Sequence, residues 1–216
     1  MKRLLLLILL LPILFDVNAQ DHFLGVKGGV SWTDVSSGTI YQNANSLRRF
    51  SGGITYEYFV TDFISVGSGL SYDQRGFSGK SFLVTEETFY FTHSFDYLSL
   101  PIKVGSYTSN SSFFGFVKAG LVPSYLIHAK MEIPTVGEGT NFTGTQKVNV
   151  TGDVSAFDLA GLAELGGGYK ASTKIWITAS ISYQHSLTSI TNANFFAGEN
   201  IRHKGVNVNL GLMYGL

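Results

Sequence analysis

Apolar and polar residues alternate one by one along most of this chain, and polar, glycine-containing stretches interrupt the alternation. Successive side chains of an extended strand point to opposite faces, so a period of two predicts strands with one apolar face. Eight such segments can be drawn. Their bounds are roughly 24–32, 50–60, 63–73, 98–105, 113–127, 157–166, 175–183 and 206–216.

The connections between these segments alternate in length. Short turns such as Thr61-Asp62 and 170–173 alternate with long polar loops. A soluble β-sandwich has no reason to show this alternation, whereas an outer-membrane barrel has tight periplasmic turns and long external loops. The loops span roughly 33–49, 75–91, 131–152 and 188–203.

A sandwich would show the same period of two, so two further features favour a barrel. The polar face carries charges in the middle of strands, and aromatic residues gather near both predicted rims, where one part of the ring meets lipid and another can hydrogen-bond. The periplasmic group is Tyr58, Phe59, Phe63, Phe113, Phe114, Tyr169 and Tyr214, and the external group is Trp32, Phe50, Tyr72, Tyr125, Phe157 and Tyr183.

The fourth segment contains Pro101, which has no amide hydrogen for a β-ladder and normally weakens a strand assignment. The alternation continues on both sides of this proline. A continuous strand is therefore predicted across it.

Each strand core has about 9–11 residues, enough for a strand tilted by about 40° to cross an apolar band of about 25 Å. A sheet survives in lipid only if every backbone group is paired, which requires closure. The predicted fold is all-β: an eight-stranded antiparallel transmembrane up-and-down β-barrel with long extracellular loops. The predicted location is the bacterial outer membrane, with outer-membrane lipid around the barrel.

The amino terminus has the pattern of a secretory signal peptide. Lys2 and Arg3 precede an apolar stretch over residues 4–15, and the small residue Ala19 follows. A membrane anchor would need about 18–20 apolar residues, more than this stretch offers. Residues 1–19 are predicted to be a cleaved signal peptide and residues 20–216 a single barrel domain.

Composition narrows the possible partners. The chain has 216 residues and no cysteine, which excludes a lipoprotein anchor, a disulfide framework and a thiolate metal site. Removing Lys2, Arg3 and Asp16 with the signal peptide leaves 13 basic against 14 acidic side chains. A near-neutral chain without a basic run argues against nucleic acid as a partner.

Four short stretches resemble the PorT-like family of Gram-negative outer-membrane barrels, also described as the outer membrane protein beta-barrel domain. They are Gly25–Val30, Phe50–Ile54, Tyr97–Lys103 and Leu210–Tyr214. The resemblance covers the mature chain and implies an eight-stranded barrel at the cell surface, in a family whose members mostly have no defined activity. Its namesake is tied to protein secretion. The chain departs from many such barrels by ending at Leu216 instead of an aromatic residue.

Eight ionisable residues are predicted to face the lumen. An eight-stranded barrel is just wide enough for its own side chains, so we expect these charges to pair and fill a plugged interior. The alternative is a path for protons or small ions. The basic residues are Lys27, Arg75, Lys103 and Lys118, and the acidic residues are Glu57, Asp73, Asp158 and Glu164.

Neither a metal site nor an active site is predicted. His93, His128, His185 and His203 fall near outer strand ends, but no close pair such as His-x-His occurs, so they are interpreted as exposed rim residues. His185 and Ser186 are adjacent along a strand and must point to opposite faces, which makes them a poor base–nucleophile pair. No cofactor is expected.

Two outer loops contain residues typical of strands. Phe89–Phe95 and Asn141–Asp153 predict hairpins that protrude beyond the bilayer, the second with its turn within Pro134–Gly139. A protruding edge offers unpaired backbone groups to a partner. The sequence therefore predicts a non-enzymatic structural or surface-interaction protein whose external hairpins meet a protein or glycan. The alternatives are a narrow channel for small solutes or ions and a lipid-modifying barrel enzyme.

Overall fold

A computed structural model describes residues 22–37, 44–82, 88–110, 112–136, 142–192 and 199–216. The predicted signal peptide and its cleavage point lie outside these residues. Among the described residues, no helix is long and apolar enough to cross a membrane. The strands are β1 (His22–Ser36), β2 (Asn45–Phe59), β3 (Ile64–Phe82), β4 (Thr88–Ser99), β5 (Ile102–Asn110), β6 (Phe113–Val136), β7 (Phe142–Asn149), β8 (Phe157–Lys170), β9 (Ile175–Ser186) and β10 (Arg202–Gly215).

These strands form an antiparallel ring, which confirms the predicted fold class. With β4 and β5 sharing one position, each position of the wall pairs with the next, and the first strand, β1, pairs with the last, β10, over residues 23–36 and 202–215. This pairing satisfies the backbone groups that an open sheet would expose to lipid. Strand β7 lies outside the ring and pairs only with β6 among the described residues.

The predicted fourth strand is interrupted at Pro101, so the expectation of a continuous strand was wrong. Strands β4 and β5 occupy one position in the wall, because both pair with β3 on one side and with β6 on the other. The register continues across the break, and Leu100 donates its amide hydrogen to the carbonyl of Pro123. The missing donor of Pro101 thus breaks the ladder without moving the strand out of register.

The outer face of the ring is apolar, as the alternation predicts. Val26 on β1, Val104 on β5 and Leu210 on β10 are about half exposed or more, which suits contact with acyl chains. Two of the aromatics predicted near the periplasmic rim lie inside the barrel instead. Phe114 is buried, and Phe59 packs beside it in the lumen.

Two hairpins continue past the apolar belt, as predicted, but the turn expected within Pro134–Gly139 was placed too early. Pro134–Val136 still belong to β6 and pair with β7, and residues 137–139 lie outside the described residues. Strand β6 runs for 24 residues to Val136 and pairs with β7, and β3 runs to Phe82 and pairs with β4. A bulge in β6 lies where Asp96 pairs with His128 but Tyr97 pairs with Leu126. The extra residue at this point reverses which side chains of β6 face inward.

Candidate functional site

The middle of the lumen holds two ion pairs that cross from one wall to another. Lys118 Nζ on β6 lies 2.5 Å from Glu57 Oε2 on β2, and Lys103 Nζ on β5 lies 2.8 Å from Glu164 Oε2 on β8. Ser65 also donates a hydrogen bond to Glu57. All four charged side chains are buried, so each depends on its partner.

A third pair, nearer the external end, is the centre of a larger hydrogen-bonded cluster. Arg75 Nη1 on β3 lies 2.5 Å from Asp158 Oδ2 on β8. Ser186 and Thr188 also donate to Asp158, each at 2.9 Å, and Thr188 belongs to the external loop after β9. The Arg75 guanidinium stacks over the Tyr97 ring at 4.7 Å. Asp158, on β8, therefore links strands β3 and β9 and the loop that follows β9.

The last two predicted lumen residues, Lys27 and Asp73, have no ion-pair partner among the described residues. Both line a cavity of about 20 Å³ in the middle of the lumen, and Lys27 also lines a neighbouring cavity of about 30 Å³. Cavities of this size hold about one water molecule. The structure thus brings six of the eight predicted residues together as three pairs and places the other two on a shared, water-sized space.

An aromatic plug fills the periplasmic end of the lumen. Its central rings are Tyr107, Phe114 and Phe116, packed against Phe59 and Trp176. Glycines on β8 make room for these rings, since a Cβ at position 166 would lie 2.3 Å from the Phe116 ring. The sequence analysis did not identify Tyr107 and Trp176 as lumen residues. The alternation could have shown this, because Tyr107 lies an even number of residues from the inward-facing Lys103, and Trp176 from the inward-facing Thr178.

An apolar outer core closes the external end. Residues from the loops after β7 and β9 fold over the mouth and pack against the inner face of the protruding strands. Val154 and Thr191 form a β-bridge between these loops, and the Ile190 amide bonds to the carbonyl of Ile201. The buried members are Val35, Phe77, Phe95, Tyr97, Leu126, Ala129, Val150, Val154, Ile190 and Ile201.

A vestibule of about 570 Å³ opens at the periplasmic face below the aromatic plug. Its floor includes Phe23 and Trp176, whose ring centroids are 4.2 Å apart. Lys170 on its rim lies over the Trp176 ring and bonds to Ser109 Oγ at 2.9 Å. Phe59 and Trp176, which pack against the plug, line the vestibule, and none of the eight charged lumen residues lines it.

The interpretation of all four histidines as exposed rim residues was wrong for two of them. His93 is 1 % exposed and His203 is 2 % exposed, because the outer core covers the strand ends where they lie. His93 stacks on Phe77 at 4.8 Å, and His203 approaches the Tyr97 hydroxyl at 3.4 Å. His128 and His185 are half-buried. The described residues contain no group of three or more His, Cys, Asp or Glu arranged to hold a metal ion.

We expect the outer core to lose stability in acid through His93. Burial lowers the pKa of its imidazole from 6.5 to about 4, so the folded protein holds it neutral while the unfolded chain protonates. The stabilisation is complete above pH 6.5 and falls as the pH drops towards 4. Unfolding in urea at pH 7 and pH 4.5 measures this loss.

The variant His93→Phe is the control for this titration, because it keeps a ring stacked on Phe77 and beside Phe95 and removes the imidazole. It should lose less stability than the wild type over the same pH change. An equal loss in both proteins would contradict a role for His93.

The residues considered for catalysis do not form a base–nucleophile pair. Ser186 points into the lumen and donates to Asp158, whereas His185 is two residues along from the outward-facing Tyr183 and approaches its hydroxyl at 3.3 Å. The two side chains lie on opposite faces of the wall, as the alternation requires.

Comparison with known proteins identifies the family. A sequence profile described as the outer membrane protein beta-barrel domain matches residues 18–192. A search among curated protein sequences gave no match.

Several solved barrels have a similar arrangement of strands. Neisserial surface protein A shares 12% identity, with 89% of this chain and 97% of that chain covered and a TM-score of 0.48. OprG from Pseudomonas aeruginosa shares 12%, with 91% and 97% covered and a TM-score of 0.49. Ail of Yersinia pestis, solved with the heparin analogue sucrose octasulfate, shares 12%, with 90% and 99% covered and a TM-score of 0.42.

Proposed function

Since this chain belongs to the outer membrane protein beta-barrel domain family, we propose that it is a closed, non-enzymatic anchor that presents an external hairpin to a partner. The chain is an integral protein of the bacterial outer membrane, so this hairpin is held at the cell surface. The resemblance to PorT-like barrels does not point to a more specific activity, since most members of that family have none defined.

The observation that carries the proposal is the free edge of β7. One edge of this strand pairs with β6 from Lys130 to Val136, and among the described residues no strand pairs with its other edge. The side chains of Thr145, Gln146 and Lys147 are exposed. A strand edge of this kind binds an extended segment of another protein through main-chain hydrogen bonds. We therefore propose a protein partner before a glycan.

The filled lumen supports an anchor over a channel. The aromatic plug, the two mid-lumen ion pairs and the outer core occupy successive levels of the interior. Three cavities in the lumen have volumes of about 20–30 Å³. A conducting path would have to displace buried rings or break buried ion pairs, and both changes are costly.

The separation of Ser186 from His185 supports a non-enzymatic role. A lipid-modifying barrel needs a nucleophile within hydrogen-bond reach of its base. In this barrel the Ser186 hydroxyl bonds to a carboxylate that Arg75 already neutralises.

The strand edge can be tested by photo-crosslinking in cells of the native bacterium. A photoreactive phenylalanine analogue at position 147 should give an adduct of defined mass with the partner. Deleting the hairpin over residues 131–149 should abolish crosslinking from a second analogue placed at position 151. The double variant Thr145→Ala/Gln146→Ala keeps the backbone edge and should retain the adduct.

The control is the same analogue at Thr173, an exposed residue of a periplasmic turn. It should give no such adduct. An adduct that disappears in the Thr145→Ala/Gln146→Ala variant would show side-chain recognition, as a glycan or another surface would require, and would contradict strand addition. Absence of any adduct from position 147 would also contradict the proposal.

A further inference from the structure

A cationic cluster lies on the outer face of the protruding sheet, away from the lumen. Gly76 on β3 pairs with Ser94 on β4, and Ser94 pairs with Lys130 on β6, so the three residues share one face. Phe77, which follows Gly76, and His93, which precedes Ser94, are buried in the outer core. The face that carries Ser94 and Lys130 is therefore the external face of this sheet.

Arg49 lies across this face. The pairing of β2 with β3 shifts between Ser46 and Ser51, and the side chain of Arg49 reaches β4 from this interruption. Its Nη2 donates to Ser94 Oγ at 2.7 Å. The guanidinium also lies over Gly76, where a Cβ would be 3.2 Å from Arg49 Nε. A glycine at position 76 thus leaves the space in which the guanidinium rests.

The charge of Arg49 has no ion-pair partner among the described residues. Its Nε is buried without a hydrogen-bond partner there. The neighbouring cations are also weakly held, because Lys130 and Lys147 share the single carboxylate of Glu132, each at 3.7 Å. Exposed pairs of this length contribute little to stability, so both lysines are free to turn towards another anion.

The cluster has a net positive charge. Arg48 lies beside it, exposed and paired in register with the outward-facing Trp32. The cations are Arg48, Arg49, Lys130 and Lys147, against the two carboxylates of Asp96 and Glu132. Arginine with flanking lysines is well suited to bind phosphate oxygens.

The height of the cluster above the apolar belt limits which lipid headgroups can reach it. Among the side chains that the structure describes, Tyr72 and Leu98 are the last apolar outward ones on β3 and β4, and Gly76 and Ser94 lie four residues beyond them. Four residues of a tilted strand rise about 10 Å. This exceeds the headgroup layer of about 5–7 Å on each side of a phospholipid bilayer. A lipid with a taller, phosphorylated saccharide headgroup reaches this level.

We propose that Arg49, with Lys130 beside it, binds phosphate groups on the saccharide headgroup of an outer-leaflet glycolipid. Arg49 and Lys130 lie on β2 and β6, so the proposed site is distinct from the main-chain edge of β7, although Lys147 of β7 lies beside it. It fixes the base of the protruding sheet to the surrounding lipid, so that the hairpin is held upright at the surface.

The test uses the full mature chain, folded in a non-ionic detergent, with rough-form lipopolysaccharide as the probe. The measured quantity is the ratio of Kd values for the dephosphorylated and the intact glycolipid. We expect the wild type to prefer the intact form by about tenfold or more, since removing the phosphate groups removes their attraction to the cations of the cluster. The preference should weaken as salt rises.

The variant Arg49→Gln/Lys130→Gln should bring the ratio close to one. The matched control Lys170→Gln/Lys174→Gln removes two cations from the periplasmic rim and should keep the wild-type ratio. Heat-modifiable gel mobility checks that each variant folds. Lys130→Gln alone, at a half-buried position, provides a milder variant if the double variant does not fold. The single variant Lys130→Gln should have a lower ratio of Kd values than the wild type.

Three results would overturn the site. The first is a wild-type ratio near one, and the second is an unchanged ratio in the Arg49→Gln/Lys130→Gln variant or, if that variant does not fold, in Lys130→Gln. The third is binding of inorganic phosphate, or of short-chain phosphatidic acid, with the same affinity as the glycolipid, because the saccharide headgroup would then add nothing.

Discussion

Replacing Asp158 by alanine is expected to lower the free energy of unfolding by about 3–5 kcal/mol, because it leaves the guanidinium of Arg75 buried without a counter-charge. Both side chains are nearly inaccessible, at 1 % and 6 % exposed. The change also removes the acceptor of Ser186 and Thr188. Urea-induced unfolding from phospholipid vesicles, followed by tryptophan fluorescence, measures the loss.

The matched control is Asp153→Ala. Asp153 is exposed in the loop before β8, so its removal should change the free energy of unfolding by less than about 0.5 kcal/mol. The double variant Arg75→Met/Asp158→Leu should recover much of the loss, since it removes both charges and keeps the volume filled. Equal effects of Asp158→Ala and Asp153→Ala would show that the ion pair does not hold the wall together.

Replacing Phe95 by alanine should cost about 3–5 kcal/mol, because it empties the centre of the outer core. Phe95 is fully buried, and its ring lies 4.9 Å from His203 and 6.2 Å from Phe77. The core residues on the protruding strands and on the covering loops meet at this ring. We therefore expect the hairpins and loops to become sensitive to protease while the lipid-embedded ring of strands remains folded.

Phe113→Ala is the control for this cavity. Its side chain is 67 % exposed on the lipid-facing surface, so truncation there creates no internal void. If both variants were cleaved at the same rate within residues 130–155, the outer core would not be the element that orders the external loops.

Much of this fold follows from the period of two alone. Parity along each strand places Lys27, Glu57, Lys103, Lys118 and the other predicted lumen residues on one face, and the structure agrees. The same alternation, continued for six residues from the inward-facing Ser99, also places His93 inside the barrel. His93 was interpreted as an exposed rim residue because the predicted fourth strand began only at residue 98.

The sequence could not predict which charged side chains form ion pairs inside the lumen. Lys118 and Glu164 are direct neighbours in the register of β6 and β8, yet Lys118 pairs with Glu57 across the lumen and Glu164 pairs with Lys103. Strand order gives the neighbours along the wall. Contacts across the lumen depend on tilt and stagger, which the alternation does not encode.

The outer core was missed for a similar reason. Val154 and Ile190 belong to loops without a repeating pattern, and their burial depends on how those loops fold over the mouth of the barrel. The bulge in β6 adds a second effect, because one extra residue changes the inward side from Leu126 to Ala129. A strict alternation carried through Ile127 would place every later residue on the wrong face.

The claim that the lumen is closed is tested most directly by single-channel recording of the full mature chain in planar bilayers. The aromatic plug, the buried ion pairs and the outer core predict no steady current at any moderate voltage, for the wild type and for Asp153→Ala alike. A reproducible open-state current from the wild-type barrel, steady over seconds, would contradict the closed lumen and with it the role of an anchor.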